Sequence, residues 1–151
     1  MTYKTIPAPG DPYAPKVGID VVRVAKVSVG SAGSTAVDVQ IPVEAAATPI
    51  FSVGANVMVH DLLAKVVTAY TASAALTIGD SDDVDGYMAA VDLICTVISS
   101  ELRSSKSSTT LATVYGMGKI YSAAQTIDVT AGASTLVGQM DVYLLYSVVS
   151  T

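Results

Sequence analysis

The segment "VGQMDVYLLYSVV" (residues 137–149) decides the fold, because its large apolar residues recur at every second position. Met140, Val142, Leu144 and Tyr146 share one face if the segment is extended, since side chains alternate between the two faces of a β-strand. The segment therefore predicts a strand with one buried face.

Other segments of the chain show a similar pattern. In "IDVVRVAKVSV" (residues 19–29), valines including Val22 and Val24 alternate with polar residues such as Arg23 and Lys26. "TAVDVQIPV" (residues 35–43) alternates strictly, and the glycine-rich "GSAGS" before it predicts a hairpin turn.

The middle and the end of the chain supply further strands. "VMVHDLLAKVVTAY" (residues 57–70) is the longest, and its β-favouring residues indicate a strand with a bulge near Asp61 rather than a helix. "ALTIG", "DLICTVISS", "TVYGMGKIYS" and "QTIDVTAG" predict further strands, while residues 99–110 form a polar loop and residues 87–93 a short helical turn. We therefore expect an all-β protein, an antiparallel β-sandwich with a jelly-roll-like arrangement.

The composition predicts association. The chain has 151 residues, of which 51% are hydrophobic and 14% charged, against about 25% charged residues in an average soluble domain. So few charges leave apolar surface that other copies or a partner would cover. The alternative is a monomer whose many small side chains raise the apolar content.

The first 16 residues differ from the rest of the chain. Four of the six prolines lie there, and proline disfavours helical backbone at its own position and the one before. We expect residues 1–16 to be an extended arm that contacts a partner and residues 17–151 to be one sandwich domain. The predicted contact residues of the arm are Tyr3, Pro7, Pro9, Pro12, Tyr13 and Pro15.

Several classes of function are disfavoured. The net charge is −5 and the eight basic residues are scattered, which argues against nucleic acid as a partner. No apolar run is long enough to span a membrane, because Pro49 and Gly54 interrupt the longest charge-free stretch. The single cysteine, Cys95, and the single histidine, His60, provide no recognisable catalytic or zinc site. We expect neither enzymatic activity nor a cofactor.

The acidic stretch "GDSDDVDGYMAAVDL" (residues 79–93) has two interpretations. Ser81, Asp83, Asp85 and Asp92 fall at positions 1, 3, 5 and 12 of an EF-hand-type loop, which makes them candidate calcium ligands. We favour a tight turn in which Asp80 and Ser81 cap their own backbone and Gly86 adopts a positive φ.

Two long segments carry a family resemblance. Residues 57–93, which include "IGDS" and "DVDGY", and residues 127–147, "IDVTAGASTLVGQMDVYLLYS", resemble small structural proteins of tailed bacteriophages. The chain differs from them in lacking a tryptophan in the strand over residues 57–70 and in its proline-rich arm.

The resemblance implies a β-sandwich on the outside of a virion assembled in the host cytoplasm. It further implies a capsid decoration (cement) protein that acts as a homo-oligomer, a trimer, on the major capsid protein or another virion protein. The alternative is a head- or tail-fibre module that binds a host receptor. For the oligomer interface we expect Tyr143, Leu145 and Tyr146 of the last strand.

Overall fold

The computed structural model describes residues 4–6, 22–30, 46–70, 76–89, 97–104, 115–131 and 138–149. Within these ranges the chain is built from β-strands and turns, and no helix is long and apolar enough to cross a membrane. The nine strands are β1 (Lys4–Ile6), β2 (Arg23–Gly30), β3 (Thr48–Val53), β4 (Val57–Thr68), β5 (Leu76–Gly79), β6 (Glu101–Arg103), β7 (Lys119–Tyr121), β8 (Gln125–Ala131) and β9 (Gln139–Val148).

The strands form two sheets. The first sheet has the order β1-β3-β8-β5, and the second has the order β2-β9-β4 with both β6 and β7 paired to the remaining edge of β4. All pairs are antiparallel except β1 with β3. The predicted all-β sandwich is confirmed, with this one parallel pair as an addition.

A single apolar core unites the sheets. Alternate residues of β9, namely Met140, Val142, Leu144 and Tyr146, are buried as predicted, and they belong to the same cluster as Phe51 of β3 and residues of β5 and β8. Burying side chains of this size contributes about 1.5–3 kcal/mol each. The pattern in β9 therefore fixes which face of the central strand points inward.

Strand β4 follows its prediction closely. Its pairing with β9 shifts register between Val59 and Asp61, where the bulge was expected, and again between Val66 and Thr68. Leu62, Ala64 and Val66 are buried beyond the first shift. The bulge lets the core-facing residues resume their alternation after His60.

Strand β2 is half-buried, as its alternation predicts. Val22 and Val24 are exposed, whereas Ala25 and Val29 are buried. Alternation predicts two faces but does not say which is buried, and register with β9 places Ala25 opposite the buried Leu144. The second half of the predicted hairpin, residues 35–43, lies outside the described residues.

Two other segments differ from expectation. The polar loop predicted over residues 99–110 contains β6, which pairs with β4 through Leu102 opposite Ala64. The segment expected to form a helical turn begins extended, because Met88 forms an isolated bridge with Ile78, and residues 90–93 lie outside the described part. In both places backbone pairing with a neighbouring strand outweighs local composition.

Candidate functional site

The acidic turn follows β5 and is organised by Asp80. The amides of Asp82 and Asp83 donate hydrogen bonds to Asp80 Oδ1 at 3.0 and 3.2 Å, and the Asp80 amide donates to the Asp83 carbonyl at 2.9 Å. Aspartate commonly closes turns in this way. The predicted role of Asp80 in capping the turn is thus confirmed, while Ser81 is exposed.

Gly86 is required in the turn for a different reason from the one predicted. It does not have a positive φ, which among the described glycines belongs to Gly118 at 93°. A Cβ atom at Gly86 would instead overlap the ring of Tyr115. Glycine is needed there because an aromatic ring packs directly on the backbone.

Behind the turn lies a buried polar group that we call the Asp80 cluster: Asp80, Tyr87, Tyr115, Lys119 and Tyr121. Lys119 Nζ lies 2.7 Å from Asp80 Oδ2, and the side chains of these two residues are 15% and 0% exposed. The Tyr121 hydroxyl donates to Asp80 Oδ2 at 2.7 Å and the Tyr115 hydroxyl to Oδ1 at 3.1 Å. The Tyr87 and Tyr121 hydroxyls are 3.0 Å apart. The buried carboxylate is therefore well supplied with donors.

The Lys119 ammonium is equally well satisfied. Besides Asp80, it donates to Asp82 Oδ2 at 2.9 Å and to the Tyr115 hydroxyl at 2.9 Å. It also lies 4.3 and 4.8 Å from the ring centroids of Tyr115 and Tyr121, within cation–π range. An ammonium has three N–H donors, and each has a partner here.

The pKa directions agree with this geometry. Burial alone would raise the pKa of Asp80, but hydrogen bonds from Lys119, Tyr121 and the turn amides outweigh it, so the pKa is lowered. Burial alone would lower the pKa of Lys119, yet its bonds to Asp80, Tyr115 and Asp82 raise it. Burial is also the main reason that the pKa of Tyr121 is raised. At neutral pH the cluster thus holds a carboxylate, an ammonium and protonated phenols, which suits an internal brace better than acid–base chemistry.

Three of the four candidate calcium ligands, Ser81, Asp83 and Asp85, lie within the described residues. Asp83 Oδ1 accepts a hydrogen bond from the Asp85 amide at 3.4 Å, and a side-chain hydrogen bond with Asp83 is the main cause that raises the pKa of Asp85. Ser81 is exposed, and Asp92 lies outside the described residues. Among the residues described, no group of three or more His, Cys, Asp or Glu side chains is placed to hold a metal ion.

The second candidate surface is the outer face of the second sheet. Its apolar band consists of two adjacent pairs, Val24 opposite Leu145 and Tyr143 opposite Leu63, and the charged residues Asp61 and Lys26 complete the two rows. Val24 is 62% exposed, and the other three are half-buried. Tyr146 points the opposite way and is 7% exposed, so of the predicted interface residues only Tyr143 and Leu145 belong to this band.

Ion pairs surround the apolar band. Lys26 pairs with Asp141 at 2.7 Å, Arg103 with Asp61 at 3.1 Å and Lys65 with Glu101 at 2.9 Å. The carboxylates of Asp141 and Asp61 are only 11% and 12% exposed. A partner could cover this outer face without stranding a charge, because these carboxylates already have cations within the chain.

The other predicted residues occupy separate places. Tyr3, Pro7, Pro9, Pro12, Tyr13 and Pro15 of the arm lie outside the described residues, although residues 4–6 between them form β1. Cys95 is also outside. His60 Nε2 lies 2.9 Å from Ser147 Oγ, and Ser147 is 6% exposed.

Sequence reasoning missed the role of Lys119. The signal was present, because Tyr115 and Tyr121 flank Lys119 in "YGMGKIY". The residue pattern of this segment predicts only a strand. The partner of Lys119 is 39 residues away in the chain and follows a strand of the other sheet, so only the packing of the two sheets reveals it.

Comparison with known proteins supplies two similar structures. No protein-family model matches the chain, and no curated protein matches it. A chain of the cyanophage Pam1 capsid asymmetric unit aligns with a TM-score of 0.56 and 17% identity, over 95% of this chain and 92% of that chain. A chain of the Ralstonia phage GP4 capsid aligns with a TM-score of 0.50 and 13% identity, over 94% of both chains. The chain therefore has a fold that occurs in two phage capsids, in agreement with the sequence resemblance.

Proposed function

We propose that this chain is a virion structural protein of a tailed bacteriophage, namely a capsid decoration protein that binds the outer surface of the head as a homo-oligomer. The observation that carries the proposal is the near-complete overlap with a chain of the Pam1 capsid, over 95% of one chain and 92% of the other. The two chains share an architecture over almost their full length rather than one common motif.

The outer face of the second sheet supports a role in binding other proteins. Its apolar band is accessible, and salt bridges within the chain satisfy the buried carboxylates beside it. The centres of protein interfaces are depleted in charge and enriched in aromatic residues. We propose that Tyr143 and Leu145 contact a neighbouring copy, and that three copies form the oligomer.

The mechanism of such a protein is mechanical rather than catalytic. Each copy in an oligomer would contact a capsid subunit, the major capsid protein, and the oligomer would link neighbouring subunits. Several modest contacts joined in one oligomer give an avidity far above that of a single contact. The Asp80 cluster would stiffen the subunit that transmits this load.

The oligomer is tested by the solution mass of Leu145→Glu beside that of the unaltered protein. The matched control is Thr130→Glu, because Thr130 is half-buried on the outer face of the first sheet. We expect Leu145→Glu to reduce the oligomer to monomers and Thr130→Glu to leave it intact. A monomer for the unaltered protein at all concentrations would contradict the proposed oligomer.

The location is tested by co-sedimentation of the purified protein with phage heads that lack it. We expect saturable binding and increased resistance of the heads to heat. Failure to bind heads, together with saturable binding to host cells, would replace the proposal with the fibre or adhesin function.

A further inference from the structure

Strand β1 has an unusual position in the sandwich. It comprises three residues, Lys4–Ile6, and pairs parallel with β3 in the register Lys4 to Phe51, Thr5 to Ser52 and Ile6 to Val53. It is the edge strand of the first sheet, and it also lies beside β2 of the second sheet. β1 thus covers one side of the sandwich with only three residues.

The acceptor is the edge of β3. The other edge of β3 pairs with β8, so β1 covers the edge that would otherwise present unpaired backbone groups. Exposed strand edges readily accept a strand from another chain. Backbone pairing at this edge is the same whichever copy supplies residues 4–6.

The connection to the domain is long enough for a donor from another copy. Residues 7–21 separate β1 from β2, and they include Pro7, Pro9, Pro12 and Pro15. A segment of this length reaches about 45–50 Å when extended. That reach covers β3 of the same subunit, beside which residues 4–6 lie in the single chain, and also β3 of a subunit in contact with it.

We propose that β1 exchanges between copies, so that residues 4–6 of one subunit form the edge strand beside β3 of the next subunit on the assembled particle. Exchange of an identical element needs no new contact surface. On a shell the neighbouring edge is held at an effective concentration in the millimolar range, so that pairing between subunits can compete with pairing within one chain. The inference deepens the proposed function and rests on it only for the location on a particle.

Disulfide trapping tests the exchange directly. In a Cys95→Ala background, one preparation carries Thr5→Cys and a second carries Ser52→Cys, because these two residues are register partners. Parallel neighbours lie close enough for a disulfide. The two preparations are refolded together, bound to heads and oxidised. We expect a heterodimer at twice the chain mass on a non-reducing gel, and no such product in a mixture refolded with Thr130→Cys instead of Ser52→Cys.

The double variant Thr5→Cys/Ser52→Cys provides the complementary measurement. Exchange predicts covalent oligomers from this variant, whereas pairing within one chain predicts disulfide-closed monomers. The proposal is overturned if the double variant yields only closed monomers and the mixture yields no heterodimer, and also if no sample forms a disulfide.

Different results would contradict the strand exchange and the decoration function. Head binding with cross-links only inside each chain would remove the exchange and leave the decoration function. Cross-links between copies in solution, without binding to heads, would support the exchange and remove the decoration function.

Discussion

The salt bridge between Lys119 and Asp80 makes the sharpest prediction about stability. Lys119→Met keeps much of the side-chain volume and removes the charge, which leaves Asp80 ionised in a site where its side chain is 0% exposed. Breaking a buried pair in this way costs about 3–5 kcal/mol. Asp80 keeps two tyrosine hydroxyls and two amides as donors, so we expect a loss at the lower end, about 3 kcal/mol. That loss corresponds to about 6–12 °C in Tm for a domain of this size.

Urea unfolding of four proteins measures the effect: the unaltered chain, Lys119→Met, Asp80→Asn and the double variant. The double variant no longer buries a lone charge, and we expect a coupling energy of about 2 kcal/mol between the two sites. Lys65→Met is the matched control, because Lys65 and Glu101 are 42% and 50% exposed and such exposed pairs contribute little to stability. A loss below 1 kcal/mol for Lys119→Met, or strictly additive effects, would refute the role of the Asp80 cluster as a brace.

The same pair sets the response to acid. The pKa of Asp80 is lower in the folded protein, so its contribution to stability is present above the ordinary aspartate pKa of about 3.9. That contribution is lost as the pH falls through the lower, folded value. The raised pKa of Lys119 removes its contribution only at alkaline pH. Lys119→Met deletes a major cause of the lowering, so this variant should begin to unfold at a higher pH than the unaltered protein.

Three further predictions concern the acidic turn. Tyr121→Phe removes one donor from Asp80 and one partner from Tyr87, and we expect a loss of about 1–3 kcal/mol in the free energy of unfolding measured in urea. Gly86→Ala forces a methyl group against the Tyr115 ring and should cost about 1–3 kcal/mol in the same assay; an unchanged midpoint would contradict the close packing. Calcium at millimolar concentration should leave Tm unchanged relative to chelator, because no three acidic side chains among the described residues are placed to hold a metal ion, and a rise in Tm would restore the calcium hypothesis.

The sequence correctly predicted those strands whose own residue pattern is sufficient to define them. β9 was predicted with the correct buried face, because its large apolar residues alternate, and β4 was predicted with a bulge at the correct place. β2 shows the limit of this reasoning. Val24 and Ala25 are both apolar, so its pattern does not distinguish the faces, and only pairing with Leu144 of β9 buries Ala25.

The candidate site divides in the same way. Asp80 as the cap of the turn was predictable, because the bonds from Asp82 and Asp83 are local. The neutralising cation was not, since Lys119 reaches Asp80 across the fold. Local sequence preferences assign the acidic stretch to a turn. The stabilisation of that turn by Lys119 depends on a contact between residues that are distant in the chain.

The pairing of charges within the chain also affects how the surface can bind other proteins. Lys119 is shared by Asp80 and Asp82, and cations within the chain likewise neutralise Asp141 and Asp61 on the outer face of the second sheet. Several of the few charges of this protein are therefore paired within the chain. These pairs hold strands in position and leave no isolated charge beside the apolar band. Such a surface is suited to contact with another protein, because burying it adds apolar area without a desolvated, unpaired ion. The small number of charged residues and the pairing of those charges thus both favour association with another protein surface.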